Sequence, residues 1–317
     1  MAISRLALAA WIGGFGVVAA IPLVQAQTVE KHEPAPAEAV REAPAFQGFS
    51  DNTLGLRYGP YFREPGVAQS DHSNRGTDID KVILNFSHFD VTKYWSNFIS
   101  IDVLQSNARD PSNNQNAARK NETLGATEIY GVYRGNLSGN AVVGGDPFKF
   151  GPIKDITLEI GGDINTKNTA FAPQKKLLVF GPNFHFDVPG FFNVGIHLHK
   201  EWNYNGIVGK SVDFDPTLQI EPTYLIPLTF TSIPLRIEGF ADLNLPKGRD
   251  GFGAKTVTEL LSHTDLVLDV GQVLLSKPNF LDGFIGFEYW LNKFGNDNTK
   301  VPGSLAYSPY IGLRVHF

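Results

Sequence analysis

Eight side chains have the chemistry to hold a small solute between them: Arg57, Glu238, Phe240, Asp242, Glu288, Trp290, Tyr310 and Arg314. Each falls on the polar face of a segment whose side chains alternate between apolar and polar. Aromatic rings offer faces for stacking, while guanidinium and carboxylate groups bind hydroxyls and base edges. Together they suit a neutral solute made of a flat heterocycle and a sugar. The competing reading is a charge network that only fills and stiffens an interior. A second constellation, His197-x-His199-x-Glu201, places two imidazoles and a carboxylate on one strand face, a donor set that suits zinc. Alternate residues lie about 7 Å apart along a strand, so a metal would need a further ligand from a neighbour, and a polar stripe is the expected reading. No metal, cofactor or catalytic residue is therefore expected. Gly248-Arg249-Asp250-Gly251-Phe252-Gly253 has the glycines of a phosphate loop without the strand before and the helix after, and reads as a loop. No Gly-x-Ser-x-Gly elbow is present, and no Ser, His and Asp spacing singles out a triad.

What must position these groups is clearest in the last thirteen residues, Leu305 to Phe317. Tyr307, Pro309, Ile311, Leu313, Val315 and Phe317 share one face of an extended strand, and Ser308, Tyr310, Gly312, Arg314 and His316 share the other. One face suits lipid and the other water. Alternation recurs in about twelve segments, near 52–62, 79–90, 95–106, 124–135, 154–166, 176–188, 191–203, 214–227, 233–245, 263–272, 281–294 and 305–317. In the seventh, Phe192, Val194, Ile196 and Leu198 oppose Asn193, Gly195, His197, His199 and Glu201. So many ionisable groups opposite an apolar face fit a wet lumen better than a sandwich. The expected fold is all-β: a transmembrane antiparallel up-and-down barrel of about twelve strands. If the last strand pairs with the first, Arg57 comes near Tyr310 and Arg314. Glu288 and Trp290 then approach from the eleventh segment, with Glu238, Phe240 and Asp242 two strands further round.

Connection lengths support the same topology. With both termini in the periplasm, odd connections should be long, and 63–78, 107–123 and 246–262 are. Pro189-Gly190 and Leu228 to Ser232 are tight even ones, whereas 136–153 is too long and calls for a small extra element at the periplasmic rim. Trp95, Trp202, Tyr94, Phe191, Phe294 and Tyr307 fall near segment ends, as interfacial girdles require. Pro216, Pro222 and Pro227 each remove a ladder donor from the eighth segment, which predicts a bulge there.

The first residues carry an address. Met1 to Arg5 is a short positive segment, Leu6 to Val24 is apolar, and Val24-Gln25-Ala26 offers small residues for cleavage, so residues 1–26 read as a signal peptide, with a membrane anchor as the alternative. Residues 27–45 carry Pro34, Pro36 and Pro44 without periodicity and read as a disordered periplasmic leader before a barrel over 46–317. Removing residues 1–26 takes away Arg5 alone among the charges and leaves 26 basic against 32 acidic residues. That balance argues against a nucleic-acid polymer as partner. The chain has no cysteine, which excludes disulfides and thiolate chemistry.

Several stretches resemble proteobacterial outer envelope proteins of the nucleoside-specific channel-forming (Tsx-like) family. They are Asn52-Thr53-Leu54-Gly55-Leu56-Arg57-Tyr58-Gly59 running to Phe62-Arg63-Glu64-Pro65, Asn165-Thr166-Lys167-Asn168 with Ala170-Phe171-Ala172, and Gly181-Pro182 with Phe186-Asp187-Val188-Pro189-Gly190-Phe191. The resemblance covers most of the chain beyond the address. It implies a twelve-stranded monomeric barrel in the outer membrane, conducting nucleosides. It also implies contact with outer-membrane lipid, and engagement of the assembly machinery through the terminal strand ending in Phe317. These motifs fall at turns and rims, so the eight lumen residues rest on the alternation alone. A general small-solute porin and an enzymatic or structural barrel stay open as alternatives.

Overall fold

The computed structural model describes residues 48–66, 75–110, 124–168, 173–206 and 208–317. The expected signal peptide and leader, and parts of the long loops at 67–74 and 111–123, lie outside the described residues. Thirteen strands follow in order: β1 (Phe49–Phe62), β2 (Ile79–Val91), β3 (Trp95–Asn107), β4 (Leu124–Ser138), β5 (Ile153–Lys167), β6 (Gln174–Phe186), β7 (Phe191–Asn205), β8 (Lys210–Asp213), β9 (Thr217–Pro227), β10 (Leu235–Asn244), β11 (Glu259–Asp269), β12 (Leu281–Leu291) and β13 (Leu305–His316). All pairings are antiparallel, and each strand other than β8 joins its chain neighbours. The ring closes where β1 meets β13, giving a barrel of twelve strands with β8 as a four-residue flap on the end of β7.

Alternation decides which way each side chain points. Along β7, His197, His199 and Glu201 are buried while Ile196 and Leu198 are exposed; along β13, Ser308 and Tyr310 are buried while Tyr307, Ile311 and Leu313 are exposed. The outer surface repeats this in an apolar band that includes Leu54, Leu56, Val82, Leu84, Ile160, Phe180, Leu218 and Ile285. Strands of 10 to 15 residues are long enough to cross a bilayer when tilted. This is a transmembrane barrel, lipid outside and polar groups within.

The two ends differ. At the end where β1 begins and β13 finishes, connections are short or carry helices: α1 (Gly139–Val143) fills the long 136–153 connection as expected, and α2 (Val270–Leu275) follows β11. The other end carries the long loops and is called distal below. Three expectations change. The eleventh segment runs over 259–269 rather than 263–272, because the Asp269 carboxylate accepts from the backbone of Gln272 and Asn279, both at 2.7 Å, and turns the apolar Val270–Leu275 into α2. The eighth segment has no bulge: the β9 to β10 register is unshifted from Arg236↔Pro227 to Asn244↔Gln219, with unpaired positions opposite Pro222 and Glu221. Pro216 precedes the strand and Pro227 ends it, so only Pro222 sits inside. Finally, Phe294 is no girdle residue, since its ring meets the inward Trp290 edge-on at 5.1 Å.

Candidate functional site

Inward side chains form three tiers of ion pairs. Nearest the termini, Arg314 donates to Glu238 (2.6 Å) and Asp282 (2.8 Å), Arg236 pairs with both of the same carboxylates, and His316 bridges Asp282 (2.8 Å) and Asp51 (2.9 Å). These groups come from β1, β10, β12 and β13, because the closure seam brings the first and last strands side by side.

Midway up, two clusters face each other. On one side Arg57 donates to Asp102 (2.6 Å), and its guanidinium carbon lies 5.6 Å from the centre of the Tyr310 ring. The Tyr310 hydroxyl donates to Asp265 (2.5 Å). His263 lies 2.9 Å from a Glu288 oxygen, and its ring stacks on Phe240 at 5.0 Å and 9°. Tyr310 can lie flat here because Gly286 faces inward beneath it; a Cβ at 286 would come within 2.1 Å of the ring and 2.0 Å of an Asp265 oxygen. On the other side Arg134 reaches Asp163 (2.7 Å), Glu221 (3.2 Å) and Glu159 (3.5 Å), thereby tying β4 and β5 to β9. His197 stands between Glu159 (3.7 Å) and Glu221 (3.6 Å), one ring nitrogen facing each.

The distal tier is tightest. Glu64, two residues beyond β1, takes Lys81, Lys293 and Lys167 on one carboxylate oxygen at 2.6, 3.4 and 3.6 Å. Lys293 lies 4.2 Å above the Trp290 ring, and the Trp290 indole donates to Glu259 (2.7 Å). Lys247 then links Glu259 (3.9 Å) to Glu201 (2.5 Å). Lys293 is 2% exposed and Glu64 6%, whereas the Arg57, Asp102 and Arg314 side chains lower down keep 18–19%. Among the described residues the distal cluster is therefore buried across the barrel end, as buried as Tyr310 at 5% midway and Asp282 at 0% in the terminal tier.

The eight residues expected to act together do not form one site. Arg57, Phe240, Glu288 and Tyr310 converge around His263 and Asp265; Glu238 and Arg314 belong to the terminal tier; Trp290 belongs to the distal plug; Asp242 sits inward beyond Phe240, on β10. Alternation assigns a face but not a height, and strand stagger sets who meets whom. His263 and Asp265 lay inside the expected 263–272 segment but were not singled out; their alternation with Leu266 and Leu268 was the available signal. Nor do His197, His199 and Glu201 converge as the metal reading required. His199 turns to Glu201 at 3.5 Å while His197 joins Glu159 and Glu221, where the Arg134 cation already sits beside both carboxylates.

No family model matches the chain, and no curated protein matches it. Among solved structures, it is similar to the translocator domain of the autotransporter NalP from Neisseria meningitidis at 13% identity and a TM-score of 0.39, over 86% of this chain and 90% of that one. It is also similar to the NanC porin at 12% identity and a TM-score of 0.42, over 83% and 98% of the two chains. For the KdgM porin the values are 9% and 0.35, over 84% and 99%.

Proposed function

We propose that this protein is an outer-membrane channel for small polar solutes, with nucleosides as its preferred cargo and export through the signal peptide at residues 1–26. The observation that carries the reading is the mid-lumen cluster of Phe240, His263 and Tyr310, flanked by Arg57, Asp265 and Glu288. Rings hold a base by its face; carboxylates and a guanidinium hold ribose hydroxyls and base edges. The resemblance of Asn52–Gly59 and Phe186–Phe191 to nucleoside-specific channels points the same way. A conducting site must also release its solute, so modest affinity is expected.

The test is flux through reconstituted protein. Adenosine or thymidine should give saturable uptake or current block at concentrations where a sugar of similar mass gives neither. Stacking on one ring contributes roughly 1–3 kcal/mol, so Phe240→Ala should weaken nucleoside binding about five- to a hundredfold. Equal, non-saturating passage of both solutes would make the barrel a general porin. Passage of neither would favour an enzymatic or structural barrel.

A further inference from the structure

The Glu64 cluster is built as a receptor with its occupant in place. Its three ammonium groups come from ordered elements: Lys81 from β2, Lys167 from the last position of β5, and Lys293 from the turn after β12, pinned by a backbone bond from its amide to the Ser304 carbonyl (2.9 Å). Counting around the ring through β4, β3, β2, β1 and β13, β5 and β12 are six places apart of twelve, on opposite walls. The carboxylate between them therefore stands across the mouth. Unlike Lys81 and Lys167, Glu64 belongs to a connection, as Lys293 does, and its side chain can swing away without breaking any ladder bond. Its backbone stays fixed, because Gly303, at φ +77, packs so close to the Glu64 carbonyl that a Cβ would sit 2.2 Å from it.

We propose that Lys81, Lys167 and Lys293 form a binding site for the carboxylate of a small anionic solute, and that Glu64 occupies it as a built-in competitor whose displacement opens the distal mouth. Charge favours exchange over simple opening: with Glu64 withdrawn the three ammonium groups lose the one carboxylate oxygen that all of them approach, and keep Glu128 at 3.2 Å from Lys167, with Asp110 acting on Lys81 and Lys167 and Glu288 on Lys293. An incoming carboxylate restores the balance. The Trp290 ring under Lys293 gives the body of such a solute an apolar neighbour beside its charge, while Phe62, 5.5 Å from Lys81, is packed against Ile79, Ile83 and Leu104 and backs the site. The solute class is thus a monocarboxylate with a compact carbon skeleton. This site is separate from the mid-lumen cluster; since Glu64 closes the mouth at rest, nucleoside flux is measured with and without gluconate, and binding at each site is read apart from the other.

Trp290 supplies a binding signal that needs no flux. The full chain, folded in detergent, is titrated with D-gluconate and with the uncharged D-glucitol while tryptophan emission is followed. Wild type should respond saturably to gluconate and not to glucitol. Glu64→Gln, which removes the competitor, should bind gluconate about tenfold more tightly, and Lys167→Met about tenfold more weakly or not at all. Heat-modifiable migration confirms that each variant is folded. Should Glu64→Gln not fold, Glu64→Asp, whose shorter side chain reaches the lysines less well, must also tighten gluconate binding. In planar bilayers gluconate should raise the open probability of wild type. Equal responses to gluconate and glucitol, or an affinity for gluconate that is unchanged by both substitutions at 64, overturns the proposal.

Discussion

Replacing Arg134 by Met tests whether the lumen is held together by its charges. The methionine keeps the length of the apolar stem and deletes the cation that Asp163, Glu221 and Glu159 share at 2.7, 3.2 and 3.5 Å. All four side chains are 9% exposed or less, so water enters poorly to replace it. Removing one partner from a buried ion pair costs about 3–5 kcal/mol, because the remaining charge stays desolvated. At 1.4 kcal/mol per tenfold, the folding equilibrium should fall by between about a hundredfold and a few thousandfold. Urea unfolding in micelles, followed by circular dichroism and by loss of heat-modifiable migration, measures it. Adding Glu221→Gln should recover part of the loss, since it removes one stranded charge, and the double-mutant cycle should show coupling of about 1 kcal/mol or more. A loss below about 1 kcal/mol, or strictly additive costs, would mean that the network is incidental to stability.

Three further outcomes follow from particular contacts. Gly286→Val should displace the Tyr310 ring from Asp265 and reduce nucleoside binding about as much as Phe240→Ala does, while circular dichroism shows an intact barrel; unchanged binding would detach Tyr310 from the site. Deleting Phe317, whose backbone amide donates to Asn52 (2.9 Å) across the seam, should leave secretion intact and lower the amount of heat-modifiable protein in the outer membrane. Glu64 should show a distinctive pH response. Burial by itself raises its pKa, but Lys167, Lys293 and Lys81 together hold it well below the ordinary carboxylate range. A carboxylate so depressed in the folded state stabilises at every pH above its unfolded value of about 4.3, and that stability fades as pH falls toward the folded value. The difference in melting temperature between wild type and Glu64→Gln should therefore be flat from pH 8 to pH 5 and shrink only below about pH 4. Shrinkage between pH 7 and 5 would show that the lysines do not hold the carboxylate.

Architecture was legible because period-two alternation is local. Most segment boundaries expected from it fall within a few residues of the strands, and the inward assignment of Arg57, Glu238, Phe240, Glu288, Tyr310 and Arg314 holds. Where it failed, a local device intervened that alternation cannot see, as with the Asp269 cap, or the element was too short to show a period, as with the four residues of β8. The constellation was less legible for a geometric reason. Arg134 and Glu221 are 87 positions apart and four places apart around the ring; Glu64 and Lys293 are 229 positions apart. Such partners share a height only through the stagger accumulated from strand to strand, which sequence does not state. Glu64 itself lay inside a stretch read as a rim motif, with nothing in its neighbours to announce three distant lysines.

The seam between β1 and β13 has a kinetic consequence. Asn52 and Phe317 exchange backbone bonds over 265 positions, whereas every other ladder joins strands that are neighbours in the chain. Closing a loop of that length costs about 5 kcal/mol in chain entropy, against little more than 1 for a tight hairpin. Hairpins can zip up in sequence, but the cylinder is complete only when the first strand is still waiting as the last one arrives. Until then both strands present unpaired edges, the surfaces most prone to pair with other chains. A catalyst that shelters those two edges would therefore speed assembly most at this one seam.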